Sequence, residues 1–498
     1  MIWAAGTIMV PLIAACMSLL LRKRGGLWIL AGATGGILLA VGGVTNQVWE
    51  QGPLRYPLGG WGAPLGIDWY ADGLTVLLLL MCAAVMSLTS LYAWSYLSHE
   101  SHAGANQDGQ SMFTHERFWP LWFFLWASLN ALFLSADLFN LYVTLELFSL
   151  SAAMLMTLGH QPAALMAGMR YLMVSMVGSL MYLLGVAFLY AAYGTLDLAM
   201  LSRVITAGSQ TWMPMTLMTL GLLLKTGLFP LHIWLPPAHA NAPSPVSAIL
   251  SGLVVKASFY LVLRLWFQVF EPHVSSSAGQ FLGMLGAGAI IWGSLQAFRQ
   301  ERLKLLVAYS TVAQLGYLFL LFPLTGTASI AETAWSGGIY HALAHAFAKA
   351  SMFLAAGNIM LALGHDRINE LDGIAQAMPM SLFAFGLGGI SLMGLPPSGG
   401  FVAKWLLLTA AWDGEFWWWA GILLGGGLLT AGYIFIVLKR AFATPTVHTT
   451  IQSIPFTLEF TALTLAVLGI LLGLIATLPL TLLHIGNPFP LTLIRGEP

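Results

Sequence analysis

The sequence predicts an all-α, polytopic membrane protein with about fourteen transmembrane helices. Hydrophobic residues make up 58% of its 498 residues, and the mean hydropathy is +0.82. Only 8% of the residues are charged, against about 25% in a soluble domain. A soluble fold of this length needs more charge on its surface, and a disordered chain needs the opposite composition, so both classes are excluded. The apolar residues form solid runs, not the alternating pattern of a membrane barrel.

Apolar runs that are long enough to cross a bilayer as helices occur one after another along most of the chain. They are predicted at 2–21, 26–44, 72–96, 118–136, 137–158, 164–193, 213–230, 244–270, 277–297, 303–323, 332–363, 379–412, 415–438 and 457–484.

The distribution of basic residues supports this count, because cytoplasmic loops are enriched in Lys and Arg. If the N-terminus lies outside, the cytoplasmic loops contain Arg22, Lys23, Arg24, Arg117, Arg170, Arg299, Arg302, Lys304, Arg367, Lys439 and Arg440. Only Arg55, Arg203 and Arg495 then lie on the other side. The sequence therefore predicts that both termini face away from the cytoplasm.

The loops between the runs offer no site for a cofactor or a nucleotide. The polar stretch 97–117 contains His99, His102 and His115, but their spacing is not that of metal ligands, so a solvated loop is predicted. The sequence has no Gly-rich phosphate loop and no dinucleotide fingerprint. Its formal net charge is zero, which gives no basic face for nucleic acid. We expect no metal, no cofactor, no nucleotide and no nucleic acid as ligands.

Ionisable residues inside the apolar runs are the most informative feature. Four of the seven lysines, Lys225, Lys256, Lys349 and Lys404, lie among aliphatic, small and aromatic residues, and Glu146 lies in the run LFNLYVTLELFSLSAAML. Inserting each charge at mid-membrane costs about 2.5–3.5 kcal/mol of free energy, which is a large penalty for a residue that has no function. Snorkelling, or Lys–Glu pairs that only hold helices together, is the alternative interpretation.

Three titratable residues share one helix face in the run GGIYHALAHAFAKASMFLAAG. His341, His345 and Lys349 are spaced four apart, and each such step turns a helix by about 40° and rises about 6 Å. A lone buried histidine usually makes a structural hydrogen bond, whereas three groups in register predict a proton relay.

Proline and glycine interrupt two of the predicted helices near a lysine. Lys225 precedes one interruption and Lys404 follows the other. The interrupting residues are Pro230 and Pro236 in the first helix and Pro396, Pro397, Gly399 and Gly400 in the second. Broken helices at membrane depth are typical of inverted-repeat transporters, whereas a proline kink in a packed bundle is the alternative.

Five segments in this order resemble the antiporter-like subunits of respiratory complex I, membrane-bound hydrogenases and Mrp-type cation/proton antiporters. They are DLFNLYVTLE (137–146), LKTGLFPLHIWLPPAHANAPSPVSAILSGLVVKA (224–257), LKLLVAYSTVAQLGYL (303–318), HALAHAFAKASMFLAAG (341–357) and GLPPSGGFVAKW (394–405). The residues LFNLYV before Glu146 look more like the D-type member of the Mrp antiporters, and its hydrogenase counterparts, than like the complex I subunits. The resemblance implies N-terminal helices at 1–117, two inverted five-helix repeats at 118–270 and 271–441 with broken helices seven and twelve, and a C-terminal helix at 442–498.

The same resemblance assigns roles to individual residues. A proton path is expected at Glu146, Lys225, Lys256, Lys304, His341, His345, Lys349 and Lys404. A gating role is expected for His232 and His239. Many family members carry an acidic residue where this sequence has Pro237, so the charges near His239 are expected to differ.

The function expected from this resemblance is that of a proton-translocating subunit in a multisubunit Na⁺/H⁺ antiporter of the inner (cytoplasmic) membrane. Its partners would be other membrane subunits, the bilayer, protons and, as the candidate counter-ion, Na⁺. One alternative is an energy-coupling subunit of an NADH:quinone oxidoreductase-like or hydrogenase complex. A second alternative is an assembly subunit without transport. In each case the chain would carry out no catalytic chemistry of its own.

Overall fold

The structure is a computed structural model that describes residues 2–21, 26–103, 110–158, 161–444 and 451–489. Except for one two-stranded hairpin, its regular elements are helices, which confirms the predicted fold class. The basic residues predicted at 22–24, Arg495, and the side chains of His102 and His115 lie outside the described residues.

The helices are numbered in chain order. The first half contains α1 (Ile2–Leu21), α2 (Gly26–Gln51), α3 (Gly73–Ala103), α4 (Gln110–Leu134), α5 (Leu138–Thr157), α6 (Pro162–Tyr193), α7 (Leu198–Val204), α8 (Ser209–Thr226), α9 (Leu235–Asn241), α10 (Ser244–Ile249) and α11 (Val255–Arg264). The second half contains α12 (Ser276–Phe298), α13 (Leu303–Phe319), α14 (Leu321–Leu324), α15 (Ala328–Leu363), α16 (Ile374–Ala377), α17 (Pro379–Met393), α18 (Gly399–Asp413), α19 (Trp417–Ala441), α20 (Phe456–Leu474) and α21 (Thr477–His484). Short 3₁₀ turns occur at Leu58–Gly60, Glu271–His273 and Ile368–Glu370.

Eleven helical segments among the described residues are long and apolar enough to cross a membrane. The most buried of them, Ser244–Val269, consists of α10 and α11, joined by the π-helical segment Leu250–Val254, and a second π-helical segment, Leu265–Val269, after α11. The interrupted segments α8–α9 and α17–α18 are not among the eleven, so the count of fourteen spans stays a prediction.

One feature differs from the sequence prediction, and another was not predicted. The run predicted at 457–484 is two helices, because α20 ends at Leu474 and Pro479 then lies in the first turn of α21, where its missing N–H costs no hydrogen bond. The polar stretch before α3 forms an antiparallel hairpin of β1 (Leu54–Pro57) and β2 (Asp68–Ala71). Arg55 on β1 forms ion pairs with Asp68, at 2.6 Å, and with Asp197, which ties the hairpin to α7.

Two of the isolated β-bridges each join the segment before a helix to the segment after a later helix. The first pairs Asp137, just before α5, with Asp197, just after α6. The second pairs Arg302, just before α13, with Arg367, just after α15. In both cases the β-bridge joins the segment before one helix to the segment after the next long helix.

A buried ion pair joins the start of α3 to the end of α11. Both side-chain oxygens of Asp72 accept from the Arg264 guanidinium, from Nη1 at 2.6 Å and from Nη2 at 2.6 Å. Arg264 also donates to Tyr260 Oη and Thr75 Oγ1, at 3.0 and 2.9 Å. The two charged side chains are 1% and 6% exposed, so this pair is a fully bonded scaffold contact.

Candidate functional site

Glu146 on α5 and Lys225 on α8 form an ion pair inside the helix bundle. Lys225 Nζ donates to Glu146 Oε1 at 3.1 Å, to Ser149 Oγ at 2.9 Å and to Ser175 Oγ at 2.8 Å. The hydroxyl of Ser179 donates to the same carboxylate oxygen. The lysine side chain is 3% exposed and the glutamate 23%, so the ammonium is enclosed by oxygen atoms and its partner reaches the edge of the bundle.

The position of Lys225 follows from how α8 ends. Gly227 adopts the left-handed conformation (φ 73°), and its N–H closes the last turn on the Leu223 carbonyl at 3.0 Å. Lys225 therefore lies in the final turn, where the helix dipole favours a cation. A Cβ on Gly178 would be 2.6 Å from the Gly221 carbonyl oxygen, so only glycine lets α6 and α8 approach closely enough to bring Ser175 to the ammonium.

The break after α8 is wide. Pro230 lies in the non-helical segment between Gly227 and Trp234, and Pro236 lies in the first turn of α9, where its missing N–H costs no hydrogen bond. His232 in this segment stacks on Phe229, with ring centroids 5.6 Å apart. Phe229 in turn contacts Trp292 on α12, with ring centroids 6.1 Å apart.

Lys256 on α11 is held by a carbonyl that a π-helical turn makes available. Its ammonium donates to the carbonyl of Ser251, inside the segment Leu250–Val254. π-turns shift the backbone hydrogen-bond register and are frequent at functional sites. A Cβ on Gly252 would be 3.3 Å from the carbonyl of Ala346, so this segment lies directly against α15, beside His345.

The three residues predicted as a relay lie on α15, each at most 1% exposed. The rings of His341 and His345 stack with centroids 5.9 Å apart and planes 12° apart. Nε2 of His341 is 3.2 Å from the Gln314 carbonyl. Neither ring nitrogen of His345 has a hydrogen-bond partner among the described residues. Lys349 Nζ donates to the Val307 carbonyl at 3.0 Å and to the hydroxyl of Ser310.

Lys304 and His239 lie near the end of the bundle where α13 begins. Lys304 is 1% exposed and donates to the Ala242 carbonyl at 2.7 Å. A cavity of about 220 Å³ opens there, lined by Lys304, Arg302 and Asn241 among others. His239 on α9 is fully buried beside Phe353, with ring centroids 5.3 Å apart.

Lys404 on α18 binds the end of the preceding helix. Its Nζ donates to the carbonyl of Leu392 at 2.7 Å and lies 4.0 Å from the ring centroid of Tyr317. Leu392 belongs to the last turn of α17, which ends at Gly394 in the left-handed conformation (φ 85°). The terminal carbonyls of a helix carry its negative dipole end, so this site suits an ammonium.

The residues predicted to break this helix all lie at the junction of α17 and α18. Pro396 and Pro397 lie between the two helices, and α18 begins at Gly399, capped by the Ser398 hydroxyl. A Cβ on Gly400 would be 1.8 Å from the Ser391 carbonyl oxygen, so glycine is required for α18 to start this close to α17.

The buried lysines differ in the groups that bind their ammonium nitrogen. Lys225 is paired with a carboxylate, whereas Lys256, Lys349 and Lys404 have no carboxylate within 4.0 Å among the described residues and rest on carbonyl and hydroxyl oxygens. A neutral acceptor can bind either an ammonium or an amine N–H. Each of these three groups can therefore lose and regain a proton without leaving a buried carboxylate unpaired.

Some residues of the site were not predicted from the sequence. Ser149 lies one helical turn after Glu146, a spacing that places both on one face of α5. Ser175 and Ser179 lie four apart on α6, but neutral serines in an apolar run give no signal of which lysine they contact.

Comparison with known proteins matches this region to one family. The family model described as "NADH:quinone oxidoreductase/Mrp antiporter, TM" matches residues 135–430, which include Glu146 and Lys404. The N subunit of the NADH-quinone oxidoreductase of Desulforudis audaxviator is 34% identical over 82% of this chain and 78% of its own length. The D subunit of the Na⁺/H⁺ antiporter of Alkalihalophilus pseudofirmus is 28% identical over 90% of this chain and 88% of its own length. A chain of the Mrp complex from Dietzia sp. DQ12-45-1b shares the fold, with a TM-score of 0.85 and 23% identity over 98% of both chains. The chain therefore belongs to the NADH:quinone oxidoreductase/Mrp antiporter family of membrane proteins.

Proposed function

We propose that this chain is the proton-translocating subunit of a multisubunit Na⁺/H⁺ antiporter. The observation that carries the proposal is a set of buried titratable groups inside the family-matched region, from the Glu146–Lys225 pair through Lys256 and the α15 residues to Lys404. Five of these groups, one glutamate and four lysines, carry a charge in their ordinary state, and five charges at membrane depth are too costly to be incidental. Relatives named as D subunits of Na⁺/H⁺ antiporters, matched over most of their length, support the same assignment.

In this function the proton passes between lysines held by neutral oxygen atoms. We place the point where protons enter from the cytoplasmic side at the cavity beside Lys304, because that lysine borders both the cavity and the α9 segment that carries His239. Transfer then proceeds over Lys256, His345 and Lys349, and release occurs at Lys404. The Glu146–Lys225 pair regulates the proton affinity of Lys256. Protonating the pair changes its net charge, and separating its two charges changes its dipole, so either event changes the electrostatic field along the bundle.

The two-repeat organisation belongs to the same proposal. We assign one repeat to residues 118–270 and the other to 271–441, between N-terminal helices at 1–117 and a C-terminal segment at 442–498. The two equivalent β-bridges support this division, because each fastens corresponding helices of its half. The left-handed glycines Gly227 and Gly394, each ending a broken helix, support it too.

We also propose the orientation in the inner membrane. Arg302 and Arg440 form ion pairs with Asp366 and Asp372 at the end of the bundle where α13 begins. Under the positive-inside rule this end faces the cytoplasm, and the hairpin carrying Arg55 faces the opposite side, with both termini.

A second candidate is an energy-coupling subunit of a redox-driven complex. The observation that favours it is the 34% identity to the N subunit of a NADH-quinone oxidoreductase. The two candidates differ in the driving force: Na⁺ alone would drive proton movement in the first, and electron transfer would be required in the second. The third candidate function is an assembly subunit without transport, which predicts that the buried lysines can be replaced without loss of transport by the complex.

The test replaces Lys225 in the complete complex. Lys225→Ala should abolish Na⁺-driven dequenching of a pH dye in inverted vesicles while the complex still assembles, because the Glu146 carboxylate left behind is 23% exposed and still accepts from the Ser179 hydroxyl. Lys225→Arg should fail as well, since a guanidinium stays protonated. Lys439→Ala, at an exposed position in the last turn of α19, is the matched control and should keep wild-type transport. Wild-type rates in an assembled Lys225→Ala complex would reject the proton path and leave the assembly role.

A further inference from the structure

A chain of hydrogen bonds joins three helices at the end of the bundle where α17 and α20 begin. Glu459, in the first turn of α20, accepts through Oε1 from the backbone N–H of Ser381 at 3.2 Å and from the Ser381 hydroxyl at 2.9 Å. The Ser381 hydroxyl in turn accepts from Nδ2 of Asn358 on α15 at 3.0 Å. Ser381 and Asn358 are fully buried. One carboxylate therefore binds the start of α17 and, through a serine, reaches the helix that carries Lys349.

The first turn of α17 has no side-chain cap from its own segment. The helix begins at Pro379, which has no N–H, and Met378 before it makes no capping hydrogen bond with its side chain. The N–H of Ser381 is one of the first-turn donors that a helix cannot satisfy internally. Glu459 supplies the acceptor from another helix, and its charge lies at the positive dipole ends of both α17 and α20. The carboxylate is therefore an N-terminal cap of α17 that α20 provides.

Other hydrogen bonds fix α15 at the same place. Oδ1 of Asn358 accepts from the hydroxyl of Tyr92 on α3 at 3.0 Å. Deeper in the bundle, the hydroxyl of Ser351 on α15 lies 3.2 Å from the Ala384 carbonyl on α17 and 2.9 Å from the Ala462 carbonyl on α20. The helices α15, α17 and α20 are therefore joined by polar contacts at two levels.

The other end of α17 is the end that binds Lys404. The Leu392 carbonyl, in the last turn, accepts from Lys404 Nζ at 2.7 Å. A Cβ on Gly388 would be 3.0 Å from the Ala348 carbonyl oxygen, so α17 still lies directly against α15 near this end. A helix of 15 residues is about 22 Å long, and a displacement of its first turn moves its last turn as well. Glu459 thus fixes the start of the half-helix whose end binds the lysine.

The location of Glu459 makes a role in this contact the best explanation for its charge. The residue lies in the apolar span Phe456–Leu474, outside the family-matched residues 135–430. A carboxylate in such a span is costly for a residue that has no function. The hydrogen bonds that it accepts come from α17, so its role concerns the broken helix.

We propose that Glu459 is a positioning residue for Lys404. It fixes the first turn of α17 against α15 and α20, and thereby sets where the Leu392 carbonyl meets the ammonium at the opposite end of that half-helix. The proposal rests on the proton-translocating function proposed above. The Glu459 carboxylate neither accepts nor releases the transported proton and acts only through the position of α17.

The first test compares Glu459→Ala with Glu459→Gln in the complete complex, with Na⁺-driven proton movement in inverted vesicles expressed per assembled complex. Glu459→Ala leaves the Ser381 N–H without its acceptor, and we expect a loss of about tenfold in rate, the effect of one lost hydrogen bond to a charged group. Glu459→Gln keeps an oxygen acceptor for both Ser381 donors and should stay within about threefold of the wild-type rate. Glu50→Ala, at an exposed position in the last turn of α2, is the control and should transport normally.

A second pair of variants removes the link from the α17 side. Ser381→Ala deletes the hydroxyl that joins Glu459 to Asn358 and should slow transport by about fivefold. Ser294→Ala is its matched control: Ser294 is fully buried on α12, its hydroxyl has no hydrogen-bond partner among the described residues, and the rate should stay at the wild-type value. If Glu459→Ala fails to assemble, this pair carries the same test, because it removes only one hydroxyl.

Cryo-electron microscopy of the variant complexes provides a readout that a general loss of stability would not change. In Glu459→Ala the last turn of α17 should be displaced, with the Leu392 carbonyl out of hydrogen-bond distance of Lys404 Nζ. Glu459→Gln should keep the wild-type contact.

Wild-type rates in assembled Glu459→Ala and Ser381→Ala complexes, under conditions where Lys225→Ala is inactive, would overturn the positioning role and leave the proton path intact. A slow Glu459→Ala complex in which Lys404 still binds the Leu392 carbonyl would overturn it too, as would equal losses in the Ala and Gln variants. Transport that survives Lys225→Ala would instead reject the proposed function itself.

Discussion

Replacing Asp72 with Asn should destabilise the protein strongly without touching the proton path. The Asp72 carboxylate accepts both Arg264 bonds, each 2.6 Å long, in a place where neither side chain is more than 6% exposed. The variant leaves the guanidinium buried without a counter-charge, which typically costs about 3–5 kcal/mol. At about 1.4 kcal/mol per tenfold change, the unfolded fraction should rise roughly 100- to 4,000-fold.

The measurement is equilibrium unfolding of the purified protein in mixed micelles titrated with SDS, followed by tryptophan fluorescence. The double variant Asp72→Asn with Arg264→Met removes both charges and should recover most of the lost free energy of unfolding. That double variant should also transport, which would separate this ion pair from the working lysines. An unfolding free energy for the single variant within about 1 kcal/mol of wild type would refute the assignment of Asp72 and Arg264 as a scaffold contact.

Two further predictions concern the ends of the proton path. Glu146→Gln removes the negative charge beside Lys225 and leaves only neutral acceptors, the amide oxygen and two hydroxyls at 2.9 and 2.8 Å, so transport in vesicles should fall by about tenfold or more and its pH profile should change; an unchanged rate and profile would make the pair structural. Lys404→Ala should be inactive, whereas Lys404→Glu should keep partial activity because it retains an exchangeable proton beside the broken helix; equal behaviour of the two variants in complexes that assemble on native gels would contradict a titrating role for Lys404.

The sequence predicted the membrane fold and most charged residues of the site because both depend on local signals. A charge inside an apolar run is visible without any knowledge of packing, so Lys225, Lys256 and Lys349 could be selected directly. The pairing of Glu146 with Lys225 came from family resemblance, since 79 residues separate them and no local rule joins them.

The rest depends on contacts between distant helices. The π-turn before Lys256 forms where Gly252 meets α15, and a run of apolar residues gives no sign of that register. The hairpin of Leu54–Pro57 and Asp68–Ala71 was not predicted, because Arg55 stabilises it by reaching Asp197 in another part of the chain.

Three of the buried lysines are anchored on main-chain oxygens: Lys256 on Ser251, Lys349 on Val307 and Lys404 on Leu392. A carbonyl is present whatever side chain the residue carries, so no point mutation at these three positions deletes the anchoring atom. The anchors are therefore protected against substitution, and a comparison of side chains would not reveal them. They remain vulnerable to changes in chain path, because inserting one residue in α13, or before the end of α17, would rotate the carbonyl away from its lysine by about 100°.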